Sequence, residues 1–552
     1  MAILIAAAIL RLFNLFAGDP INDEVFMSFR GLGLMDFDEA DVQTTPWEWF
    51  DPSIPWWAKI SMHDHPLLAP LTQKISMSIF GESNFGFRLP SALLGIASVY
   101  LVYLFGRRLF SENAGLISAA LLAVTLNSVY ISRVGMQEAY VIFFLLLSSY
   151  LFLKSLQEDK YLLWTGVALG LGLLAKYNVF ILVPFFLTYL LFFKREYFGN
   201  KKLWFGALFS VLIFSPVIVY NLMLYRAVGH FDFQFSYIFG QNPEVWQVAP
   251  GKEIGGLMDR VKNFIPRLIA TNSWVFLLLI AASILGFFAA LFRNFKEILR
   301  KYGYLSLIIG YLLLLLLLIG PSYRFLTMLT PFLALGIGGF LSGLNSHYLK
   351  KFALFALPAG RQGLLLYLVI VPILIFEIFY SWNNQIAYYP IGPTPWLSSK
   401  VRFENYNWGY NELNDYLEKE LAGKMPAIVF DSHYKFLNNL RETAIAKGLA
   451  GGLGPYPALI IYSGNFNEAA YLWILGRRKL YHVWPIISLE NYQNSLKDNG
   501  FDYYRKSGFK NYYFILQAGT AFLMDEYLVS GEVIEIKNPK GSMAFKIYKW
   551  NL

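Results

Sequence analysis

Cysteine is absent from this chain of 552 residues. A chain without thiols forms neither a disulfide framework nor a cysteine-based metal site. Charged residues are scarce as well, at 15%, whereas hydrophobic residues reach 56% and aromatic residues 18%. Soluble domains are roughly 45–50% apolar, so a chain with this composition needs lipid to cover its surface. The composition therefore predicts an integral membrane protein.

Internal repeats are also missing by inspection, and no basic face is patterned for phosphates of a nucleic acid. The net charge is +9, but the cations lie in short loops between apolar segments, where the positive-inside rule places them. We therefore expect membrane lipid rather than nucleic acid as the partner of these cations.

Long apolar runs define the predicted membrane domain, for example the aliphatic run 312–319. A spanning helix needs about 20 mostly apolar residues, and the chain offers about 11 such candidates. The first is interpreted as a span rather than a removed signal, because it lacks a basic n-region and a small-residue cleavage site. The predicted spans are 1–17, 86–106, 113–132, 136–154, 162–175, 178–193, 204–222, 273–292, 304–320, 325–344 and 363–380.

The charges of the loops predict the orientation. With a cytoplasmic N-terminus, every cytoplasmic loop is basic, as expected for a multi-pass protein of the plasma membrane. An odd number of spans then places the C-terminus outside. The cations of these loops are Arg107, Arg108, Lys154, Lys160, Lys194, Arg195, Lys201, Lys202, Arg293, Lys296, Arg300, Lys301, Lys350, Lys351 and Arg361.

Two domains are predicted. Residues 1–380 form the transmembrane domain, with an acidic first outer loop at 18–85 and a long outer loop at 223–272 that we expect to be a partly ordered cover over a site. Residues 381–552 form an extracytoplasmic α/β domain. Its predicted strands are 427–430, 458–462, 512–516, 533–536 and 544–548, its predicted helices include 411–421 and 489–499, and a turn at 538–541 joins a terminal hairpin.

Carboxylates and histidines of the predicted outer side are the first candidate site residues, because ionisable residues near membrane depth are costly. Asp23 and Glu24 follow the first span and could supply a general base or oxygen ligands for a metal. His63 and His65 flank Asp64 and could ligate a metal, although a surface turn is the simpler interpretation.

Cations of the same side are the second set. Arg133 and Glu138 lie at the outer turn between the third and fourth spans, either as a structural ion pair or as part of a site. Arg88, Lys176 and Arg324 are outward-facing cations suited to a phosphate, or to lipid headgroups. Paired carboxylates and phosphate-suited cations at one face of a helical bundle fit an enzyme that acts on a lipid phosphate.

Six elements in this order resemble the GT-C glycosyltransferases of the protein O-mannosyltransferase and aminoarabinose transferase superfamily. They extend over about residues 1–345. They are Asp23-Glu24, His65-Pro66-Leu67, Phe87 to Gly95 followed by Gly106 to Phe110, Ser132-Arg133 with Glu138, Gly170-Leu171 through Lys176-Tyr177, and Tyr323 to Leu326 with Pro331. The sequence departs from the family pattern in three places: one proline after His65, Glu138 where aspartate is common, and the order of Tyr323 and Arg324.

The resemblance implies a GT-C fold and an inverting transfer from a polyprenyl-phosphate sugar to an acceptor hydroxyl or phosphate at the outer face. It implies Asp23 as the base, with Glu24 and Glu138 in support. No cofactor is required, and a divalent cation at Asp23, Glu24 or His65 is optional. The other implied roles are stabilisation of the leaving phosphate by Arg88, Lys176, Tyr323 and Arg324, and contact with the acceptor or a metal by His63, His65 and Arg133.

Other function classes stay open at this point. A lipid or solute transporter is the main alternative, because the fifth and sixth spans are short and could form a broken helix. An oligosaccharide ligase or polymerase of similar fold would use a lipid pyrophosphate donor. A scaffold is disfavoured, because about 11 spans exceed what an anchor needs. The sequence leaves the sugar open, and a lipid, a glycan or a protein as the acceptor.

Overall fold

A computed structural model describes residues 1–38, 42–247, 255–347, 362–401, 407–519 and 531–551. The chain divides into two compact units. The helical unit comprises Met1–Phe16 and Trp57–Phe403, and the mixed unit comprises Ala17–Trp56 and Glu404–Leu552. Of the last predicted basic loop, Lys350, Lys351 and Arg361 lie outside the described residues.

Helices make up most of the described chain. In chain order they are α1 (Ala2–Leu12), α2 (Glu24–Gly33), α3 (Pro46–Trp49), α4 (Leu68–Phe80), α5 (Asn84–Leu109), α6 (Glu112–Val124), α7 (Leu126–Arg133), α8 (Glu138–Ser155), α9 (Tyr161–Ala175), α10 (Leu182–Phe193), α11 (Lys201–Val228), α12 (Phe233–Ile238), α13 (Glu244–Gln247), α14 (Leu257–Thr271), α15 (Trp274–Arg293), α16 (Phe295–Ile319), α17 (Tyr323–Leu326), α18 (Thr330–His347), α19 (Gln362–Gln385), α20 (Tyr410–Leu421), α21 (Phe436–Ala450), α22 (Glu468–Tyr471), α23 (Arg477–Leu480), α24 (Leu489–Asn499) and α25 (Tyr503–Lys506). Short 3-10 turns lie at Trp56–Lys59, Tyr177–Ile181, Arg195–Gly199 and Thr327–Leu329, and a π-helical turn lies at Leu472–Gly476.

The strands all belong to the mixed unit. They are β1 (Lys424–Pro426), β2 (Gly454–Tyr456), β3 (Ala458–Tyr462), β4 (Ile486–Ser488), β5 (Asn511–Gln517), β6 (Glu532–Lys537) and β7 (Met543–Asn551). β1 and β2 form a parallel pair, and the other strands form a five-stranded sheet in the order β4-β3-β5-β7-β6. β3 is parallel to both neighbours, whereas β7 is antiparallel to β5 and β6.

Long apolar helices dominate the helical unit. Among the described residues, six helices are long and apolar enough to cross a membrane, and a bent pair raises this to seven. The six match predicted spans: α5, α8, α11, α15, α16 and the continuous segment Tyr323–Gly343. The predicted spans 1–17, 162–175 and 178–193 correspond to the shorter apolar helices Ala2–Leu12, Tyr161–Ala175 and Tyr177–Phe193, and 363–380 lies within α19. The total of 11 crossings stays a prediction.

The predicted third span, 113–132, is bent rather than straight. α6 and α7 meet at Thr125 with an angle of 59°. The bend leaves the last carbonyls of α6 without helical donors. The buried Arg11 of α1 supplies them, because its guanidinium donates to the carbonyls of Leu122 and Ala123 at 3.1 and 2.8 Å. The sequence analysis treats both halves as one span, although α7 is more polar than α6.

α9 and α11 approach each other closely through glycines. A Cβ atom added at Gly166 would collide with the backbone carbonyl of Gly206, and one at Gly170 would lie 2.9 Å from the carbonyl oxygen of Ser210. Small residues allow such close contact between membrane helices, where burial of apolar surface gives little drive for association. This contact fixes the end of α9, from which the candidate site residue Lys176 follows.

The strands of the mixed unit largely follow the alternation of the sequence. The predicted strand 458–462 coincides with β3, and 512–516, 533–536 and 544–548 lie within β5, β6 and β7. The predicted strand 427–430 is wrong, because the strand there is β1 and ends at Pro426. The predicted hairpin turn is confirmed: Gly541 has φ of 83° and donates its N–H to the carbonyl of Asn538 at 2.8 Å.

The segment Ala17–Trp56 clusters with Glu404–Leu552, whereas the sequence interpretation kept all of 18–85 with the spans and placed the boundary at 380. Buried carboxylates explain this grouping. Asp19 accepts hydrogen bonds from the N–H groups of Trp408, Gly409 and Asn411, at the start of α20. Because such contacts link residues almost 400 positions apart, no local sequence pattern announces them.

A second carboxylate of this segment, Glu48, is buried and forms a capping box with Thr45 at the start of α3. It accepts hydrogen bonds from the Thr45 hydroxyl at 2.8 Å and from the Tyr434 hydroxyl at 3.1 Å. Burial, with a smaller contribution from the charge of Asp38, raises the pKa of Glu48 from 4.5 to about 7. The folded protein therefore holds a proton at Glu48 more tightly than the unfolded chain does.

Gly166→Ala is expected to lower the free energy of unfolding by about 1–3 kcal/mol, because the added methyl overpacks the contact between α9 and α11. Gly310→Ala, in α16, is the matched control, since a Cβ there meets nothing within 4 Å. Alanine is the better helix former, so this control should be neutral or more stable by up to about 1 kcal/mol. Thermal unfolding of both variants in lipid nanodiscs measures the difference. Equal stability of the two variants would contradict the close approach of the helices.

The raised pKa of Glu48 predicts a pH-dependent stability. Its contribution is fully present below pH 4.5 and is lost as the pH rises through about 7. Glu48→Gln should therefore reduce the loss of thermal stability between about pH 5 and about pH 8, relative to the native protein. Glu490→Gln, an exposed residue in the first turn of α24, is the control and should keep the native loss. If Glu48→Gln loses as much stability as that control, Glu48 does not titrate in this range.

Candidate active site

The helical unit buries a carboxylate between two cations. Glu138 begins α8 and is 1% exposed. The Lys176 ammonium lies 2.7 Å from its Oε1 atom, and Nε of Arg324 lies 3.8 Å from the same atom. Lys176 and Arg324, two predicted site residues that are far apart in the sequence, thus meet at the carboxylate of a third, Glu138. A carboxylate at this depth is costly unless it is paired, and here two cations pair with it.

Local structure places each of these side chains. Lys176 follows the last residue of α9 with extended backbone angles, φ of −166° and ψ of 142°, so that the chain turns before the next helix. Arg324 lies in the short α17, which Ser322 caps through a hydrogen bond from the N–H of Phe325 at 3.3 Å. The Phe325 ring lies 5.1 Å from both the Lys176 ammonium and the Arg324 guanidinium. An aromatic ring attracts cations through its negative face.

The chemical capacity of this cluster follows from its charges. Two cations share one carboxylate, and Arg324 keeps 30% of its side chain exposed. Both side chains suit phosphate oxygens, lysine as a point charge and arginine through its planar fork. A group that carries phosphate oxygens could bind here while the carboxylate holds both cations in place.

Arg88 and Arg133 lie elsewhere in the helical unit. Arg133, at the end of α7, is buried and donates to the carbonyls of Leu10, Phe13 and Asn14 at 3.1, 2.8 and 3.1 Å. Its guanidinium therefore satisfies the free carbonyls at the end of α1. The structural alternative for Arg133, an ion pair with Glu138, is wrong, since Glu138 pairs with other cations.

Arg88 contacts the same region from α5. Its Nη1 donates to the carbonyl of Leu15 at 3.2 Å, and its side chain is 5% exposed. Both arginines thus contact backbone carbonyls at the end of α1 or just after it. No signal in the sequence separates them from Lys176 and Arg324, because all four lie at or near the ends of apolar spans.

A second cluster contains Asp232, which the sequence analysis missed. Asp232 caps α12, and its Oδ1 accepts the N–H of Phe235 at 2.8 Å. Its Oδ2 accepts the amide of Asn221 and the hydroxyl of Tyr177, each at 2.9 Å. Burial raises the pKa of Asp232, and the charge of Asp64 raises it further, whereas these hydrogen bonds lower it. The only available signal was its place in the outer loop 223–272, expected to cover a site.

The predicted histidines lie next to this cluster. Nδ1 of His65 lies 2.8 Å from Oδ2 of Asp64. The carbonyl of His63 accepts the N–H of Phe233 at 2.8 Å, which joins the segment to the start of α12. Within the described ranges, no group of three or more histidine or acidic side chains is arranged to hold a metal ion. The optional metal at Asp23, Glu24 or His65 therefore stays an expectation, and no step below depends on it.

Asp23 and Glu24 belong to the mixed unit, at the start of α2. Asp23 is the N-cap residue and is exposed, whereas Glu24 is buried. The N–H of Glu24 donates to the side-chain oxygen of Asn22 at 3.0 Å. Tyr323 begins α17, next to Arg324, and is 40% exposed.

Comparison with known proteins bears on the fold. The family of dolichyl-phosphate-mannose-protein mannosyltransferases matches residues 64–220, which include Glu138 and Lys176 but not Arg324. The crystal structure of ArnT from Cupriavidus metallidurans bound to undecaprenyl phosphate superposes with a TM-score of 0.53 and 13% identity, over 99% of this chain and 97% of that one. The chain has the fold of the GT-C glycosyltransferases. At this identity, the structural likeness shows the GT-C fold alone.

The curated relatives of this GT-C protein are described as sugar transferases. A Bacillus subtilis protein described as a mannosyltransferase candidate, YkcB, is 26% identical over 291 residues, which are 48% of this chain and 38% of that protein. An undecaprenyl phosphate-α-4-amino-4-deoxy-L-arabinose arabinosyl transferase from Wigglesworthia glossinidia brevipalpis is 25% identical over 159 residues, 27% of this chain and 28% of that protein. The chain thus spans well under half the length of each.

Lys176→Met is expected to lower the free energy of unfolding by about 3 kcal/mol, because it removes the nearest counter-charge of a buried carboxylate. Lys202→Met is the matched control: the Lys202–Asp159 pair has the same separation, 2.7 Å, but both side chains are nearly half exposed. Exposed pairs contribute about 0–1 kcal/mol. Thermal unfolding compares the two variants, and equal losses would show that the Glu138 pair is not buried in the native protein.

Proposed function

We propose that this GT-C protein transfers a sugar from a polyprenyl-phosphate donor to an acceptor hydroxyl or phosphate at the outer face of the plasma membrane. The observation that carries the proposal is the cluster of Lys176 and Arg324 around the buried Glu138, in a GT-C fold. The named ligand of the ArnT structure, undecaprenyl phosphate, is the kind of molecule whose phosphate such cations would bind.

The leaving group explains why the proposed reaction needs cations. When the bond between the anomeric carbon and the phosphate oxygen breaks, the oxygen keeps the electron pair and polyprenyl phosphate gains negative charge. Lys176 and Arg324 would stabilise that charge, because cations aimed at developing charge lower the barrier. Tyr323, Arg88, His63 and Arg133 stay proposed contacts of donor or acceptor.

Glu138 has a different proposed part. Its carboxylate contacts two cations and is buried, which leaves it poorly placed to accept a proton from an acceptor. We infer that it holds the two cations together rather than acting as the base. This refines its assignment from the sequence, which grouped it with the catalytic carboxylates.

Asp23 is the proposed base. It is the N-cap residue of α2, is exposed and has the buried Glu24 beside it. In the proposed reaction, Asp23 accepts the proton of the acceptor hydroxyl, the hydroxyl oxygen forms the new bond to the anomeric carbon, and the phosphate leaves from the opposite side, so the configuration inverts. The proposed scheme requires no cofactor. A divalent cation at Asp23, Glu24 or His65 would be an optional addition. Without a cation, His65 would orient the acceptor.

The names of the relatives suggest the donor but leave the sugar open. One is a mannosyltransferase candidate and the other an arabinosyl transferase, so we propose either a hexose or a pentose as the transferred sugar. The proposed acceptor is a lipid, a glycan or a protein. The cytoplasmic N-terminus and the extracytoplasmic C-terminal region belong to the same proposal, because the basic loops favour that orientation.

Asp23→Asn is expected to reduce the release of polyprenyl phosphate from labelled polyprenyl-phosphate sugars by at least about 100-fold, since a positioned base contributes about that much or more. Asp502→Asn is the matched control and should keep full activity. Both aspartates are N-cap residues that make no capping hydrogen bond with their side chains. The assay uses the full chain in nanodiscs, with thermal unfolding as the test of folding.

Two results would contradict this proposal in different ways. Full activity of a folded Asp23→Asn protein would remove Asp23 as the base while leaving the transferase intact. No release by the native protein with any donor, together with accumulation of labelled lipid or solute across proteoliposome membranes, would favour a transporter.

A further inference from the structure

Asp232 is a hub between four segments of the helical unit. Its carboxylate receives hydrogen bonds from Asn221 of α11, from Tyr177 and from the N–H of Phe235. Its own N–H donates to the side-chain oxygen of Asn221 at 2.9 Å. The next residue joins the hub to the carbonyl of His63. An ionised carboxylate only accepts hydrogen bonds, and both oxygens of Asp232 are used by donors of the protein.

Tyr177 connects this hub to the candidate active site. It is the residue directly after Lys176, and the two side chains bind different partners: Lys176 binds Glu138, and Tyr177 binds Asp232. The backbone between α9 and the turn Tyr177–Ile181 is a single extended residue, Lys176. The backbone between α9 and this turn is therefore held by two hydrogen bonds, one from the side chain of Lys176 and one from that of Tyr177.

The chemistry of lysine makes such fixing consequential. Lysine carries its charge at the end of a flexible four-carbon chain, without the rigid fork of arginine. The position of the ammonium therefore depends on the backbone from which the side chain starts. Catalytic contacts tolerate errors of well under 1 Å, roughly 0.5 Å. A backbone held at the next residue is one means to meet that tolerance.

We propose that Asp232 is a positioning residue: through the Tyr177 hydroxyl, it holds the Lys176 ammonium where the leaving phosphate binds. This inference rests on the proposed function, because it takes the phosphate of the donor as the partner of Lys176. By this proposal, the outer loop 223–272 contributes to the site through one of its residues, Asp232.

The test measures binding of undecaprenyl phosphate to the full chain in nanodiscs. Asp232→Asn and Tyr177→Phe are made in the native protein and again together with Lys176→Met. Asp232→Asn removes the negative charge of the carboxylate, and Tyr177→Phe removes only the hydroxyl that donates a hydrogen bond to Asp232. Asp259→Asn is the control: it lies in the first turn of α14 on the same outer loop, and among the described residues its side chain accepts the N–H of Gly256, at 3.2 Å.

Both variants should weaken binding by roughly 10-fold in the native protein and by less than about 2-fold in the Lys176→Met protein, because residues that act through one another are not additive. Asp259→Asn should bind as the native protein does. Tyr177→Phe keeps the ring, so it separates the positioning effect from misfolding of Asp232→Asn, and thermal unfolding of each protein checks this.

Each other outcome contradicts a defined part of the argument. Equal weakening with and without Lys176 would overturn the positioning role, since Asp232 would then act on the fold and not through Lys176. Native binding by both variants would overturn the positioning role alone. Failure of the native protein to bind undecaprenyl phosphate would overturn the proposed function, and the positioning role with it.

Discussion

The structure of the helical unit depends on one constraint: a charge buried among apolar helices must find a partner inside the protein. Glu138 meets it with Lys176 and Arg324, which come from the ends of two other helical segments. The cost of leaving any of the three alone is high in a medium that screens charge poorly. The constraint therefore draws together residues separated by almost 200 positions, and the proposed phosphate site results from it.

The same constraint acts on the backbone. The bend between α6 and α7 and the end of α1 expose carbonyls, and arginines supply their donors: Arg11 at the bend and Arg133 at the end of α1. Arg11 lies in α1, whose end receives hydrogen bonds from Arg133. Arg133 lies in α7, which follows the bend that receives hydrogen bonds from Arg11. Cations that look alike in the sequence thus divide into two kinds. Some complete helix ends, and others surround a buried carboxylate.

How much of the site was predictable can be seen in single residues. The position of Lys176 at the end of an apolar segment, and the run that contains Arg324, indicated cations near one membrane face, and the structure places both at Glu138. Arg133 was assigned to the same site on similar grounds, and its guanidinium donates to a carbonyl at the end of α1. Asp232 was missed altogether, since one aspartate in a long loop carries no signal until Tyr177 and Asn221 are beside it.

The sequence by itself determined the class of protein, the positions of the long apolar helices and four of the five predicted strands. These properties follow from composition and from periodicity over a few neighbouring residues. Tertiary structure alone decided the bend at Thr125 and the grouping of Ala17–Trp56 with the C-terminal residues. It also decided which cation pairs with Glu138. Partner choice depends on distances between segments far apart in the chain, and local patterns do not encode those distances.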